Sequence, residues 1–432
     1  MRRARPLRVV VVARAVLPLH GFGGLERSVR DLVRHLAASD VEVTLIVPPP
    51  SRVFRQTGVD PFASPRIHLT HVNYVTFGFA NRRGTTILDR STAYLVYGER
   101  AGRLAGALAR NGGADIVHGF GASVLGYARM GAGKAAPLVL NPQGLEEFGA
   151  TAETQPLFKK IGYAPLRWAV RRCARAADCI LATDVSLEAT VARHLRPQAG
   201  QMRTVPNGID LAEVVATAGP AEGGIMRQRH GIGAHEFVIL SVGRLEQNKG
   251  FADLALALGE AQRDGTLSST QTPWRWVIAG MGPERQALED AANRAGIADR
   301  TVFAGRMPDA DLHAWYEAAS LFAHPTRYEG SSLVTLEAMA HRRAVVATRA
   351  GGLPDKIKPG VNGWLVEPGD IKALARAIGE AASAGPRLTA MGAEGRRIVE
   401  TGFAWTALVK RQIEIYEDLL SARAGSRVTV SP

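Results

Sequence analysis

The chain has 432 residues, 46% of them hydrophobic, and a formal net charge of +13, enough for two or three folded domains of ordinary globular composition. Two cysteines, Cys173 and Cys179, exclude a disulfide framework and a cysteine metal cluster, and no apolar run is long enough to span a bilayer. The charge is lopsided: residues 1–206 hold 28 Lys and Arg against 14 Asp and Glu, whereas residues 207–432 hold 25 against 26. Either the first half meets an anionic partner (a membrane surface, an anionic acceptor or nucleic acid) or it is simply Arg-rich with solvated charges.

The Arg-rich start imitates a signal peptide, but Arg14 breaks the apolar region early, so Leu7 to Ala13 reads as the first strand of a buried parallel sheet. Gly23-Gly24-Leu25-Glu26 follows, then the helical pattern Val29, Leu32, Val33, Leu36. Strand, glycine loop and helix start together make a place for a phosphate. There is no Walker lysine motif and no full Gly-x-Gly-x-x-Gly, which excludes P-loop ATPase and dinucleotide oxidoreductase chemistry. Val41 to Val47 reads as a second strand.

Residues 51–113 carry little pattern. Tyr74 to Phe79, before Asn81-Arg82-Arg83-Gly84, reads either as a membrane-touching or acceptor-binding loop or as a hairpin packed on the domain. Asp115 to Gly121 reads as a strand holding His118, and Leu138 to Glu146 as a strand running into Gln143 and Glu146. Residues 157–177 form a basic amphipathic pattern broken by Pro165, fit either to lie on an anionic membrane or to cover a sheet. Cys179 to Thr183 is a short strand, and Thr204 to Asp210, with Asn207, ends the first domain.

Gly219 to Gly233 reads as a loop-rich stretch leading into the second domain. The strand Phe237 to Val242 then ends in Gly243-Arg244-Leu245-Glu246-Gln247-Asn248-Lys249, where Arg244 and Lys249 either converge on one diphosphate or are two exposed cations at a turn. Gly280-x-Gly282 is an incomplete dinucleotide fingerprint, and Val302 to Met307 is a further strand. From His324 to His341 the chain reads as strand end, turn at Gly330, and a helix capped by Ser331 or Ser332. Glu329 and Glu337 stand eight residues apart there, beside a helix start able to hold an anion. Taken alone, Glu329 also reads as a solvated loop residue and Glu337 as a complement to the helix dipole. A last amphipathic helix covers about Trp405 to Leu420, and residues 421–432 read as frayed.

The Glu329-x7-Glu337 stretch with its Glu-Ala-Met-Ala resembles the signature of the family 4 retaining glycosyltransferases. The Gly-Gly-x-Glu loop, the Asp115-x-x-His118 segment, Pro206-Asn207-Gly208-Ile209-Asp210 and the Arg244/Lys249 pair resemble family motifs at matching places. The resemblance implies an α/β GT-B fold: two Rossmann-like domains facing a cleft, with residues 1–206 as acceptor domain and 207–404 as donor domain. A helix at 405–422 would cross back to the first domain, and 423–432 would be a tail. It implies a catalytic set of Glu329, Arg244, Lys249 and His118. The donor would be held by Gly23, Gly24, Gly243, Arg244, Lys249, Gly330, Ser331, Ser332 and Leu333, with Glu337 on the ribose and Met307 near the base. Phe120 and Gln143 stand where the family has His, which leaves Gln143, Glu146 and Asn207 as acceptor or sugar candidates. The implied co-substrate is a UDP or GDP sugar, without metal or other cofactor. The basic first half, in turn, points to a glycan or lipid-linked glycan acceptor, with no nucleic-acid partner expected, in a protein read either as cytoplasmic or as cytoplasmic with peripheral contact of that half at the anionic inner face of the membrane. A catalytically degenerate sugar-nucleotide binder and an epimerase of the same fold remain alternatives.

Overall fold

The computed structural model describes residues 5–21, 23–50, 62–75, 85–142, 145–149, 157–267 and 273–428. The chain divides into two compact units, Met1–Asn207 with Trp405–Pro432, and Gly208–Ala404.

In the first unit seven strands run in chain order: β1 (Arg8–Val12), β2 (Glu42–Val47), β3 (Ile67–His71), β4 (Ile116–Phe120), β5 (Leu138–Asn141), β6 (Cys179–Ala182) and β7 (Met202–Thr204). They form one sheet in the order β3-β2-β1-β4-β5-β6-β7, every pairing parallel. The Val run of β1 feeds both faces: Val10 and Val12 enter one core cluster, Val9 and Val11 the other. That is why it reads as continuously apolar rather than alternating. The C-terminal helix Trp405–Val428 extends beyond the expected Leu420. Its Trp405, Leu408, Val409 and Tyr416 join the second of these clusters, beside the helix Gly24–Ala38.

The poorly patterned stretch contains β3 and the helices Thr85–Ser91 and Ala93–Arg110. Gly98, Gly102 and Gly106 weaken the helix signal in sequence, yet they share one face. A Cβ on Gly98 would lie 2.1 Å from the Ala122 carbonyl oxygen, and one on Gly102 2.5 Å from the Tyr127 nitrogen. The glycines let the helix approach backbone that a larger residue would push away. The segment Gly219 to Gly233, expected to be loop-rich, likewise contains a helix over most of its length, Pro220–Arg229. Pro220 sits at its first turn and Glu222 Oε2 accepts from the Gly219 N–H at 2.8 Å.

The second unit holds β8 (Phe237–Val242), β9 (Trp274–Ala279), β10 (Thr301–Gly305), β11 (Leu321–His324), β12 (Ala344–Thr348) and β13 (Gly363–Val366). Their order is β10-β9-β8-β11-β12-β13, again all parallel. Apolar clusters cover both faces. Both units are therefore Rossmann-like, and in each the strand order reverses once, between β1 and β4 and between β8 and β11. Ligands of such sheets bind outside the carboxyl ends of the strands at that point. Among the described residues no helix is long and apolar enough to cross a membrane.

Candidate active site

The carboxyl ends of β8 and β11 lead into residues 243–250 and 325–332. These two loops lie against each other because Gly250 is left-handed (φ 65°) and a Cβ there would lie 2.0 Å from the Pro325 carbonyl oxygen. The Arg327 N–H donates to the Asn248 carbonyl at 2.8 Å. The Arg327 guanidinium forks onto Asp253, Nε to Oδ2 and an Nη to Oδ1, each at 2.8 Å. Lys249 Nζ is thereby placed 2.8 Å from Glu329 Oε2. His324 Nε2 lies 2.8 Å from the same oxygen.

Glu329 is thus no solvated loop residue; its side chain is 14% exposed. Burial alone would raise its carboxyl, but the hydrogen bond from His324 and the charge of Lys249 outweigh that and hold it well below the ordinary carboxylate range. Burial pushes His324 below the usual imidazole value, against the pull of Glu329. His324 therefore acts as a neutral ring donating from Nε2, and its buried Nδ1 has no hydrogen-bond partner among the described residues.

The turn is clamped from behind. Gly351 (φ 53°) would put a Cβ 1.6 Å from the Glu329 carbonyl oxygen, and the Gly352 N–H donates to the Gly330 carbonyl at 2.9 Å. Lys356, fully buried, donates to Ser331 Oγ at 3.3 Å and to the Gly352 carbonyl at 3.2 Å. Of the two candidate caps, Ser332 takes the position: its Oγ accepts from the Thr335 N–H at 3.4 Å and opens the helix Leu333–Ala340. Leu333 joins a core cluster, and Met307 packs against that cluster half-buried. Glu337 is 3% exposed, with Oε2 accepting from Tyr316 OH at 2.9 Å. The Tyr316 ring stacks on His341 (5.6 Å, 8°), whose Nδ1 lies 2.6 Å from Glu317 Oε1.

Arg244 points to solvent, 77% exposed, paired with Glu246 at 2.9 Å. So the two cations expected to converge are held by different carboxylates, Lys249 by Glu329 and Arg244 by Glu246. A Cβ on Gly243 would be in ordinary contact with the Lys249 stem. The Gly280/Gly282 pair is a packing device: a Cβ on Gly280 would meet the Gly243 carbonyl oxygen at 1.8 Å, and one on Gly282 the Leu245 carbonyl oxygen at 2.3 Å.

In the first unit Gly23 caps the helix Gly24–Ala38 without a side chain, and a Cβ there would lie 2.4 Å from Glu26 Oε2. The Glu26 carboxylate thus folds over the loop, where the helix start favours an anion. His118 is enclosed at 1% exposure, stacked on Phe120 (5.1 Å, 8°), with Nδ1 2.6 Å from Tyr416 OH. Burial pushes it down to about 3, so it is neutral. With Asn207 and Trp405 it lines a cavity of about 20 Å³. Phe120, at the position of the missing His, belongs to the core. Glu146 is half-exposed and pairs with Arg90 at 2.6 Å. Its neighbour Glu147 is buried, and burial pushes its carboxyl up to about 7. Gln143 lies outside the described residues, as does the aromatic segment from Phe77 to Gly84.

Residues 22–213 match glycosyltransferase family 4, and residues 224–398 match glycosyl transferases group 1. A GDP-mannose-dependent alpha-(1-6)-phosphatidylinositol monomannoside mannosyltransferase of Mycolicibacterium smegmatis is 30% identical over 311 residues, 68% of this chain and 76% of that one. The chain belongs to glycosyltransferase family 4. A D-inositol 3-phosphate glycosyltransferase of Acidothermus cellulolyticus is 33% identical to this family 4 chain over 59% of its length and 57% of the relative's. Among solved structures, a sucrose-phosphate synthase from Thermosynechococcus elongatus superposes with TM-score 0.73 at 22% identity, covering 97% of this chain and all of the other. The fold is GT-B, and the protein is a glycosyltransferase that uses a nucleotide sugar. In this glycosyltransferase, sequence reasoning passed over His324, Tyr316 and Lys356. His324 and its neighbour Pro325 closing β11 were the only available signal; the other two come from elements whose approach no local pattern announces.

Proposed function

We propose that this glycosyltransferase moves a sugar from a UDP or GDP sugar to a hydroxyl acceptor on a glycan or lipid-linked glycan, with retention of configuration and without metal. The observation carrying this reading is the Lys249–Glu329–His324 cluster at the reversal point of the second sheet. Breaking the anomeric carbon–oxygen bond builds negative charge on the leaving diphosphate. Lys249, the exposed Arg244 and the helix start behind Ser332 are the groups that would stabilise it. These cations would supply charge that a metal supplies elsewhere. Glu329, kept ionised by its two donors, would face the cationic sugar. Glu337, fixed by Tyr316, would take the ribose hydroxyls. With no separate carboxylate assigned as nucleophile, the acceptor would attack from the leaving-group side, a diphosphate oxygen taking its proton.

The enclosed state of His118 argues that it positions Tyr416 and the C-terminal helix rather than touching substrate. The mannosyltransferase relative supports a guanosine diphosphate donor and a lipid-linked acceptor, since its name specifies both. The test is transfer from GDP-mannose, UDP-glucose and their congeners to water and to lipid glycans, with Lys249→Ala beside wild type. Transfer lost in a folded Lys249→Ala supports the reading. Unchanged transfer would remove Lys249 from the chemistry, and nucleotide binding without transfer would favour the degenerate binder.

A further inference from the structure

The helix Leu157–Gly162 buries none of its residues. Leu157, Phe158 and Ile161 are 72%, 63% and 66% exposed. At about 100° per residue they fall within a third of the helix circumference, with Lys159 and Lys160 on the remainder. The helix is anchored from below: Ser91 Oγ donates to the Gly162 carbonyl at 2.6 Å, and a Cβ on Gly162 would lie 2.6 Å from Ile87. Leu88, on the neighbouring helix Thr85–Ser91, is also exposed. The next helix, Ala164–Ala176, buries Leu166, Ala169, Val170 and Cys173 but presents Trp168, 54% exposed, on the same face as Arg171 and Arg175. Residues 157–177 contain six Lys and Arg and no Asp or Glu.

Large apolar side chains grouped on a surface mark an interaction site. Their setting among Lys159, Lys160 and Arg175, in a stretch that itself holds no Asp or Glu, selects the partner. A second copy docking through this face would set like charges against like. An anionic bilayer surface satisfies both features: apolar side chains enter the acyl boundary and cationic stems reach the headgroup phosphates. We infer that Leu157, Phe158, Ile161 and Trp168, framed by Lys159, Lys160, Arg171 and Arg175, dock the first unit on anionic lipid. The surface is independent of donor chemistry, so a failed nucleotide test would leave it standing.

Trp168 supplies the readout. Of the six tryptophans, Trp274, Trp276, Trp315 and Trp405 are buried and Trp364 is half-buried. The full chain should float with vesicles of phosphatidylcholine mixed with phosphatidylglycerol, and its emission should shift to the blue. Both responses should be weak on phosphatidylcholine alone, and the shift should vanish in Trp168→Phe. Paired Phe158→Ser/Ile161→Ser and Lys159→Glu/Lys160→Glu changes should each weaken flotation by roughly tenfold or more, with circular dichroism unchanged. Absence of wild-type flotation at low salt, or flotation in both variants undiminished from wild type, would overturn the inference. So would a wild-type dimer that the serine variant dissolves, which would assign the face to self-association.

Discussion

Lys249 and Glu329 form a pair whose energy can be weighed. At 2.8 Å and an effective dielectric of about 20 the Coulomb attraction is roughly 6 kcal/mol, and most of it is cancelled by desolvation. Removing one partner of such a pair costs about 3–5 kcal/mol. The residual exposures of 17% and 14% put Lys249→Met at the lower end, about 3 kcal/mol, because water reaches the stranded carboxylate. In a unit of this size that lowers the melting temperature by roughly 6–12 °C. Glu329→Gln should cost about 1–2 kcal/mol, since the freed lysine can turn to solvent while His324 keeps an amide oxygen to donate to. The double variant should be less impaired than the two losses added together, with a coupling of about 2 kcal/mol. Urea unfolding followed by tryptophan fluorescence reports this, because Trp274, Trp276 and Trp315 are buried in the same unit. Additive losses, or a coupling under about 0.5 kcal/mol, would reduce the pair to a surface contact and refute the account of the site.

Three further outcomes are expected. Tyr316→Phe removes the 2.9 Å donor to the buried Glu337 and should cost about 1–3 kcal/mol in urea unfolding while weakening nucleotide binding; unchanged affinity would separate Tyr316 from the site. Gly351→Ala would put a Cβ 1.6 Å from the Glu329 carbonyl oxygen, so the loop must move, and transfer should fall at least tenfold while the fold, followed by circular dichroism, persists. Glu147, pushed up to about 7 by burial, keeps its proton in the folded state between pH 4.5 and 7 while the unfolded chain loses it. Stability should therefore fall as pH rises through that window, by about 3 kcal/mol, and Glu147→Gln should flatten the fall; an identical pH profile in the variant would contradict the burial of this carboxyl.

What the sequence made legible was local. The strand, turn and helix around Glu329 and Glu337 announce themselves through Pro325, Gly330 and the capping serines within one short stretch. The run from Gly243 to Lys249 does the same at the end of β8. What it concealed was non-local. Lys249 reaches Glu329 because Gly250 admits Pro325, and Glu329 stays in place because Gly351 and Lys356 close behind it; none of these approaches has a period or a spacing. The helix Ala93–Arg110 stayed hidden for a related reason. Its three glycines read as breakers until the backbone they admit is seen, a case of tertiary packing overriding propensity. Glu147 was passed over for Glu146 because adjacent glutamates look alike until burial separates them. Arg244 shows the reverse limit: its motif is plain in sequence, yet the side chain rests on Glu246 in solvent.

The central claim, a diphosphate-sugar site built on Lys249, Glu329 and Glu337, is tested most directly by thermal unfolding against UDP, GDP, ADP and their sugars, without added metal, for wild type and Glu337→Ala. The account predicts that one nucleotide family raises the melting temperature of wild type, by an increment corresponding to about 2.7 kcal/mol at a hundredfold excess over Kd, and leaves the variant unmoved. No shift with any nucleotide, or an equal shift in Glu337→Ala, would contradict it.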